Sequence, residues 1–228
     1  MKYLFLSIIL LLSVSAEKQV EYRSPLKFEK DIKKFEEADK KSLPPEGAVL
    51  VTGSSSVRMW HGRIKKDLAP LTVIPRGFGG SNMNDLYYFS DRIVLKYKPR
   101  AVVIYEGDND ISQKISPEKI KSKFLELKAK LEKANKDIRI YIISVKPSIK
   151  RLAMWPEMAR TNKMMKEFCE ANSNCYFIDT AAVLLKDGKP RDDIFIKDNL
   201  HLNQKGYDLW ADAVKKVLLP VEEKWEKK

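Results

Sequence analysis

An α/β fold built on a parallel sheet follows from three features of the sequence. Short, continuous apolar runs recur along the chain, as in strands buried on both faces. Segments with helical apolar spacing lie between them. Run and helix then alternate almost to the C-terminus, the pattern of strand–helix–strand units with helices on both sides of one sheet. Five runs predict a three-layer α/β/α, flavodoxin-like domain, doubly wound around a five-stranded parallel sheet. The right-handed crossover rule supports that winding without fixing strand order.

The elements can be read in order. Met1-Lys2 is a short positive start, Tyr3 to Val14 is almost wholly apolar, and Val14-Ser15-Ala16 is a small-residue cleavage site. Residues 1–16 therefore read as a secretory signal, with residues 17–228 as one mature domain. The apolar run falls short of the ~20 residues that span a bilayer, which disfavours an uncleaved anchor. No cysteine lies near the cleavage site to carry a lipid. Export follows, to a periplasm or to the medium.

From Ser24 to Lys41 the residues Leu26, Phe28, Ile32 and Phe35 recur at near-helical spacing, predicting an N-terminal helix. Ser42 to Gly47, with two prolines and a glycine, breaks it. Ala48–Thr52 is the first predicted strand, followed by Leu71–Ile74, Ala101–Tyr105, Ile138–Val145 and Tyr176–Ile178. Helices are predicted over Asn84–Tyr97, from Ser116 onward, over Pro156–Glu170 and over Tyr207–Leu219. The Ser116 helix has a capping serine, then Pro117 and Glu118 in its first turn, then Ile120, Phe124, Leu127 and Leu131 on one face.

Length and composition agree with one compact domain: 228 residues, 44% hydrophobic and 32% charged. The formal net charge is +12. Attraction to an anionic surface is one reading of that charge. A solvated lysine surface is the preferred one, because no basic stripe interleaved with aromatics occurs and nucleic-acid binding is not expected. Cys169 and Cys175, the two cysteines, could bridge a helix end and a strand start or stay reduced and partly buried. They lack companions at metal-ligand spacing, so no metal site is expected.

Four segments carry candidate chemistry, and each follows a predicted strand, where the ligand crevice of an open α/β sheet lies. Gly53-Ser54-Ser55-Ser56-Val57 places a serine in a tight strand-to-helix turn, with a backbone N–H aimed where an oxyanion could sit. A Ser-rich capping turn or a phosphate-cradling loop would read the same way. It is not a G-x-S-x-G elbow, since Val57 stands at the second glycine position. Arg76-Gly77-Phe78-Gly79-Gly80-Ser81 has three glycines in four positions, which permit positive φ and close backbone approach to a ligand. In Gly107-Asp108-Asn109-Asp110, the Asn109 amide could donate to a developing negative charge, although Gly, Asn and Asp also build ordinary turns. In Asp198-Asn199-Leu200-His201, acid and imidazole three residues apart can pair on one turn, fixing the tautomer. His61, the other histidine, reads as a packing or surface residue.

Together the four segments resemble the SGNH (GDSL-like) hydrolase family, in family order and with family-like spacing over nearly the whole mature chain. The resemblance implies an ester hydrolase with Ser55 as nucleophile, His201 as general base and Asp198 as its partner. It implies an oxyanion hole made by the Ser55 and Gly80 N–H groups and the Asn109 side chain, with no metal or organic cofactor. Ser54 stands where many members have Asp, and the Gly-Ser-Ser-Ser version with Arg58 and Trp60 following looks like a branch of the family. Ser54 and Ser56 are rival nucleophiles that are expected instead to hydrogen-bond within the turn. The expected substrate is a small-molecule, glycan or lipid ester: an acetylated glycan, a lysophospholipid or another small lipid ester. The protein is expected to be a monomer or weak oligomer. The competing reading is a non-catalytic carbohydrate- or lipid-binding module on the same fold, which would not require the five site residues together.

Overall fold

A computed structural model describes residues 20–226; the expected signal segment lies outside them. The sheet has five parallel strands, β1 (Val49–Gly53), β2 (Val73–Gly77), β3 (Ala101–Tyr105), β4 (Arg139–Ile143) and β5 (Cys175–Ile178), in the order β2-β1-β3-β4-β5. This is the doubly wound, flavodoxin-like order, with its reversal of winding between β1 and β3. Leu50, Val102 and Ile140 are in register and face one helical layer; Val51, Val103 and Tyr141 face the other. Every residue of β1 and β3 is buried, which explains why both runs are apolar without alternation.

The first layer contains α1 (Glu29–Lys41), α4 (Met83–Ile93), α6 (Pro117–Ala134) and α7 (Trp155–Glu170). The second contains α2 (Ser55–Trp60), α3 (Ile64–Asp67), α8 (Ala181–Leu184) and α9 (Gln204–Glu222). A short α5 (Asp108–Ser112) follows β3. Trp60 of α2 and Trp210 of α9, both fully buried, stack with ring centroids 5.4 Å apart. Such a pair adds about 0.5–1.5 kcal/mol beyond its area burial and fixes α2 on α9.

The boundaries differ from the sequence expectations for local reasons. β2 starts later than Leu71 and continues through Pro75 to Gly77. A proline is tolerated there because β2 is an edge strand and pairs with β1 alone. α4 ends at Ile93, and a separate 3₁₀ turn, Leu95–Tyr97, completes the segment read as one helix. A 3₁₀ turn, Pro25–Phe28, likewise precedes α1. α9 begins three residues before Tyr207, where the Asn203 side chain accepts from the Gly206 N–H, 3.0 Å.

Cys169 and Cys175 are both buried at the end of α7 and the start of β5 and are free thiols, with Sγ atoms 2.7 Å apart. Two buried ion networks tie the outer elements to the sheet. Asp39 of α1 accepts from Arg76 Nη2 (2.6 Å), Lys96 Nζ (2.8 Å) and Tyr97 Oη (2.5 Å). Glu222 at the end of α9 accepts from Arg139, Arg100 and Tyr141 beneath the N-terminal ends of β3 and β4.

Candidate active site

The four segments singled out in the sequence emerge at the C-terminal ends of the strands. Ser55 opens α2 directly after β1, Gly80 follows β2, Asn109 lies in α5 after β3, and Asp198–His201 forms a turn between β5 and α9. β1 and β3 flank the winding reversal, so the serine and asparagine segments leave the sheet on either side of the crevice that this topology opens.

Backbone hydrogen bonds sew these loops together. Phe78 N donates to Gly53 O (2.8 Å), and Ser54 N donates to Tyr105 O (3.2 Å). Gly53 is required for this closeness. Its φ is +143°, and a Cβ there would lie 2.2 Å from Tyr105 O. Of the three glycines between residues 77 and 80, Gly80 alone has positive φ, +89°. Gly77 is needed for space instead: a side chain there would collide with the α2 backbone at Arg58, whereas one at Gly79 would meet only the movable end of the Arg58 side chain.

The three serines have different surroundings. Ser54 and Ser56 are buried. Ser55 is half-buried, and its Oγ lies 2.8 Å from His201 Nε2. The other imidazole nitrogen, Nδ1, lies 2.5 Å from Asp198 Oδ2. The carboxylate is acceptor-only, so Nδ1 carries the proton and Nε2 is left to accept from the Ser55 hydroxyl. The Asp198–His201 turn is shaped by Asn199, at φ +57°, and by the Leu200 and His201 N–H groups, each 2.9 Å from Asp198 Oδ1. Burial alone would raise the Asp198 carboxyl. The hydrogen bonds from His201 and from the two N–H groups outweigh it and hold the group well below the ordinary carboxylate range.

The Ser55 and Gly80 N–H groups donate to no acceptor among the described residues. Asn109 Nδ2 gives one hydrogen to Ser81 O at 2.8 Å, beside Gly80, and its Oδ1 accepts from Arg151 Nη2 at 3.0 Å. Ser81 Oγ in turn donates to Glu106 Oε1, 2.5 Å. His61 stands apart from this constellation. Its Nε2 accepts from Gly77 N, 3.0 Å, and burial with the Arg76 and Arg58 charges lowers it to about 4, so it stays neutral at physiological pH.

Sequence reasoning missed the groups behind the site. Asp108 is buried and bound by Lys146 Nζ (3.0 Å) and Arg151 Nη1 (2.5 Å). Burial would raise its carboxyl, and the two cations hold it below its ordinary value. Asp110 accepts from the Met83 and Gly107 N–H groups and from Tyr22 Oη, and burial raises it to about 6. The available signal was the loop after β4, which reaches the same sheet edge as the other four segments and carries Lys146 and Arg151. A wide surface cavity of about 520 Å³ between Gly47, Thr72, Arg100 and Trp225 opens at the opposite end, beneath the strand N-termini, and contains none of these residues.

Residues 47–209 match the family model described as GDSL-like lipase/acylhydrolase. A search of curated protein sequences gives no match. Solved structures with the same fold include a GDSL-like lipase from Bacteroides thetaiotaomicron, at 20% identity over 82% of this chain and 96% of that one, with a TM-score of 0.69. A family 3 carbohydrate esterase from Clostridium thermocellum is 13% identical over 80% and 100% of the two chains, TM-score 0.66. A catalytic mutant of an acetylxylan esterase from Geobacillus stearothermophilus is 17% identical over 76% and 95%, TM-score 0.62. The match of the family model across most of the chain identifies this protein as an ester hydrolase and a member of the GDSL-like lipase/acylhydrolase family.

Proposed function

We propose that this chain is an exported serine esterase that cleaves small acyl esters through Ser55, His201 and Asp198. The observation that carries the reading is the unbroken contact from Asp198 Oδ2 to His201 Nδ1 (2.5 Å) and from His201 Nε2 to Ser55 Oγ (2.8 Å). As the Ser55 oxygen attacks the ester carbonyl, its proton passes to His201 Nε2, and Asp198 stabilises the imidazolium that forms. The imidazolium then gives that proton to the departing alkoxide, leaving an acyl-serine. Water, deprotonated by His201, releases the acid and restores the hydroxyl. The Ser55 and Gly80 N–H groups and the second Asn109 Nδ2 hydrogen receive the carbonyl oxygen as it becomes negative. Each such donor is typically worth about 100- to 1000-fold in turnover.

An acetylated glycan is the substrate class we favour, with a lysophospholipid or other small lipid ester second. Two of the fold relatives are carbohydrate esterases by name, one of them an acetylxylan esterase, which supports the glycan. Export, read from residues 1–16, puts such polymers within reach.

Fluorophosphonate labelling and p-nitrophenyl acetate hydrolysis by residues 17–228, alongside Ser55→Ala, test the reading. Both signals are expected in the wild type and neither in the variant. A folded wild type with neither signal, or a variant that keeps both, would overturn it.

A further inference from the structure

Asn109 has a neighbour whose arrangement charge balance does not explain. Arg151 lies in the loop after β4, its backbone N–H bonded to Ser148 Oγ (3.2 Å) and its side chain only 15% exposed. The guanidinium makes three contacts at once: Nη1 to Asp108 O (3.0 Å) and to Asp108 Oδ1 (2.5 Å), and Nη2 to Asn109 Oδ1 (3.0 Å). Asp108 already has a buried cation, since Lys146 Nζ sits 3.0 Å from its other oxygen and is 1% exposed. One carboxylate therefore faces two positive charges. Outside Asp108, the contact that Arg151 has and Lys146 lacks is the one to Asn109.

That contact decides which way the amide points. A guanidinium has donors and no acceptor, so only Oδ1 of Asn109 can face it. Nδ2 is then turned to the opposite side, where Ser81 O takes one hydrogen at 2.8 Å. The second hydrogen has no acceptor among the described residues. Rotating the amide by half a turn would set Nδ2 against the guanidinium and Oδ1 against Ser81 O, two repulsive contacts.

We infer that Arg151 is a positioning residue for ester hydrolysis, a planar fork braced on Asp108 that locks the Asn109 amide with its free N–H aimed at the oxyanion. A lysine at this position could not reproduce the role, because a single ammonium cannot span the Asp108 carbonyl, the Asp108 carboxylate and the Asn109 oxygen in one plane. Lys146 and Asp108 serve the arrangement as its fixed support. The inference rests on the reading of Asn109 as an oxyanion donor, so the test must separate the two.

A double-mutant cycle on p-nitrophenyl acetate turnover does so, using Arg151→Ala, Asn109→Ala and the pair, with Arg151→Lys as a fourth variant. Arg151→Ala is expected to lower kcat by about 10- to 100-fold, somewhat less than loss of the donor itself, with KM within about 2-fold of wild type. In the Asn109→Ala background the same change is expected to cost less than about 2-fold, because nothing is left to position. Arg151→Lys, which keeps a charge beside Asp108, is expected to recover folding stability but not kcat. If Arg151→Ala fails to fold, Arg151→Lys carries the cycle alone. Losses that multiply in the double variant, a lysine that restores kcat, or an Arg151 variant as active as wild type while Asn109→Ala loses ~100-fold would each overturn the proposal. An Asn109→Ala enzyme with undiminished kcat would instead overturn the oxyanion reading on which it rests.

Discussion

At the scale of single residues, the Asp198–His201–Ser55 chain separates two roles that one substitution can divide. Asp198 accepts both from the imidazole and from two backbone N–H groups. Its removal as a charge therefore changes the tautomer of His201 more than the shape of the turn. An asparagine can still accept the Leu200 and His201 N–H groups through its oxygen while its NH₂ faces Nδ1. The imidazole must then carry its proton on Nε2, where it cannot accept from Ser55. Asp198→Asn is expected to lower kcat by about 100- to 10,000-fold, with a thermal midpoint near that of the wild type. Ester-hydrolysis kinetics beside thermal denaturation check both halves of that statement. This pair was legible in the sequence because both partners lie on one tight turn, whereas Arg151 was not. Its partners Asp108 and Asn109 are 43 and 42 residues away, and only the β3–β4 pairing brings the two loops together.

At the scale of elements, the strands were legible because burial on both faces forces a nearly unbroken apolar run; in β1 only Thr52 departs from it, and its hydroxyl is satisfied by donating to Arg76 O at 3.0 Å. The short helices α3, α5 and α8 left no periodicity to read, being four or five residues each. Their positions are set by neighbouring elements: α3 packs on β2, α5 on α7 and α8 on α9. The N-terminus of α4 is a further case in which packing overrides residue type. Asp85 closes a capping box with Asn82, and one carboxylate oxygen is buried with no partner among the described residues. Burial raises Asp85 to about 6 against the Asn82 hydrogen bond and the Lys27 charge, with the Asp110 charge adding to the rise. Asp110, fixing the start of α4 through the Met83 N–H, is raised to about 6 as well. A carboxyl whose folded value lies above its unfolded one holds its proton more tightly in the native state. Its contribution is fully present below about pH 4 and is lost as pH climbs through about 6. Each group then weakens the fold at neutral pH by about 3 kcal/mol at most. Urea denaturation of Asp85→Asn between pH 4 and pH 8 should show a shallower decline than the wild type, by about 1–3 kcal/mol over that window. A parallel pair of curves would mean that Asp85 ionises in the native state as freely as in the unfolded chain.

At the scale of the whole molecule, the two ends of the sheet have different work. The C-terminal edge gathers four loops and the Asp198 turn, and it accepts costs there: carboxyls held away from water, glycines in demanding conformations, an amide pinned by a guanidinium. The N-terminal edge supplies compensation. Glu222 is fully buried and takes hydrogen bonds from Arg139 Nε (2.5 Å) and Nη2 (2.9 Å), Arg100 Nε (3.0 Å) and Tyr141 Oη (2.7 Å), so that α9 is clamped beneath β3 and β4. Burial would raise this carboxyl, and Arg139, Tyr141 and Arg100 together hold it below its ordinary range. Removing it leaves two arginines largely shielded from water with their shared partner gone, a loss of about 3–5 kcal/mol for a buried pair broken on one side. The same helix starts just past His201, but its first turn is fixed independently, by the Asn203 cap and by Tyr207 Oη donating to Ser56 O at 2.7 Å. Glu222→Ala is therefore expected to lower the unfolding free energy by about 3–5 kcal/mol while kcat and KM, measured well below the melting transition, stay within about 2-fold of wild type. Parallel falls in stability and kcat would mean that strain at the base of α9 reaches the His201 turn through the helix, and that the two ends of this sheet are mechanically coupled rather than independent.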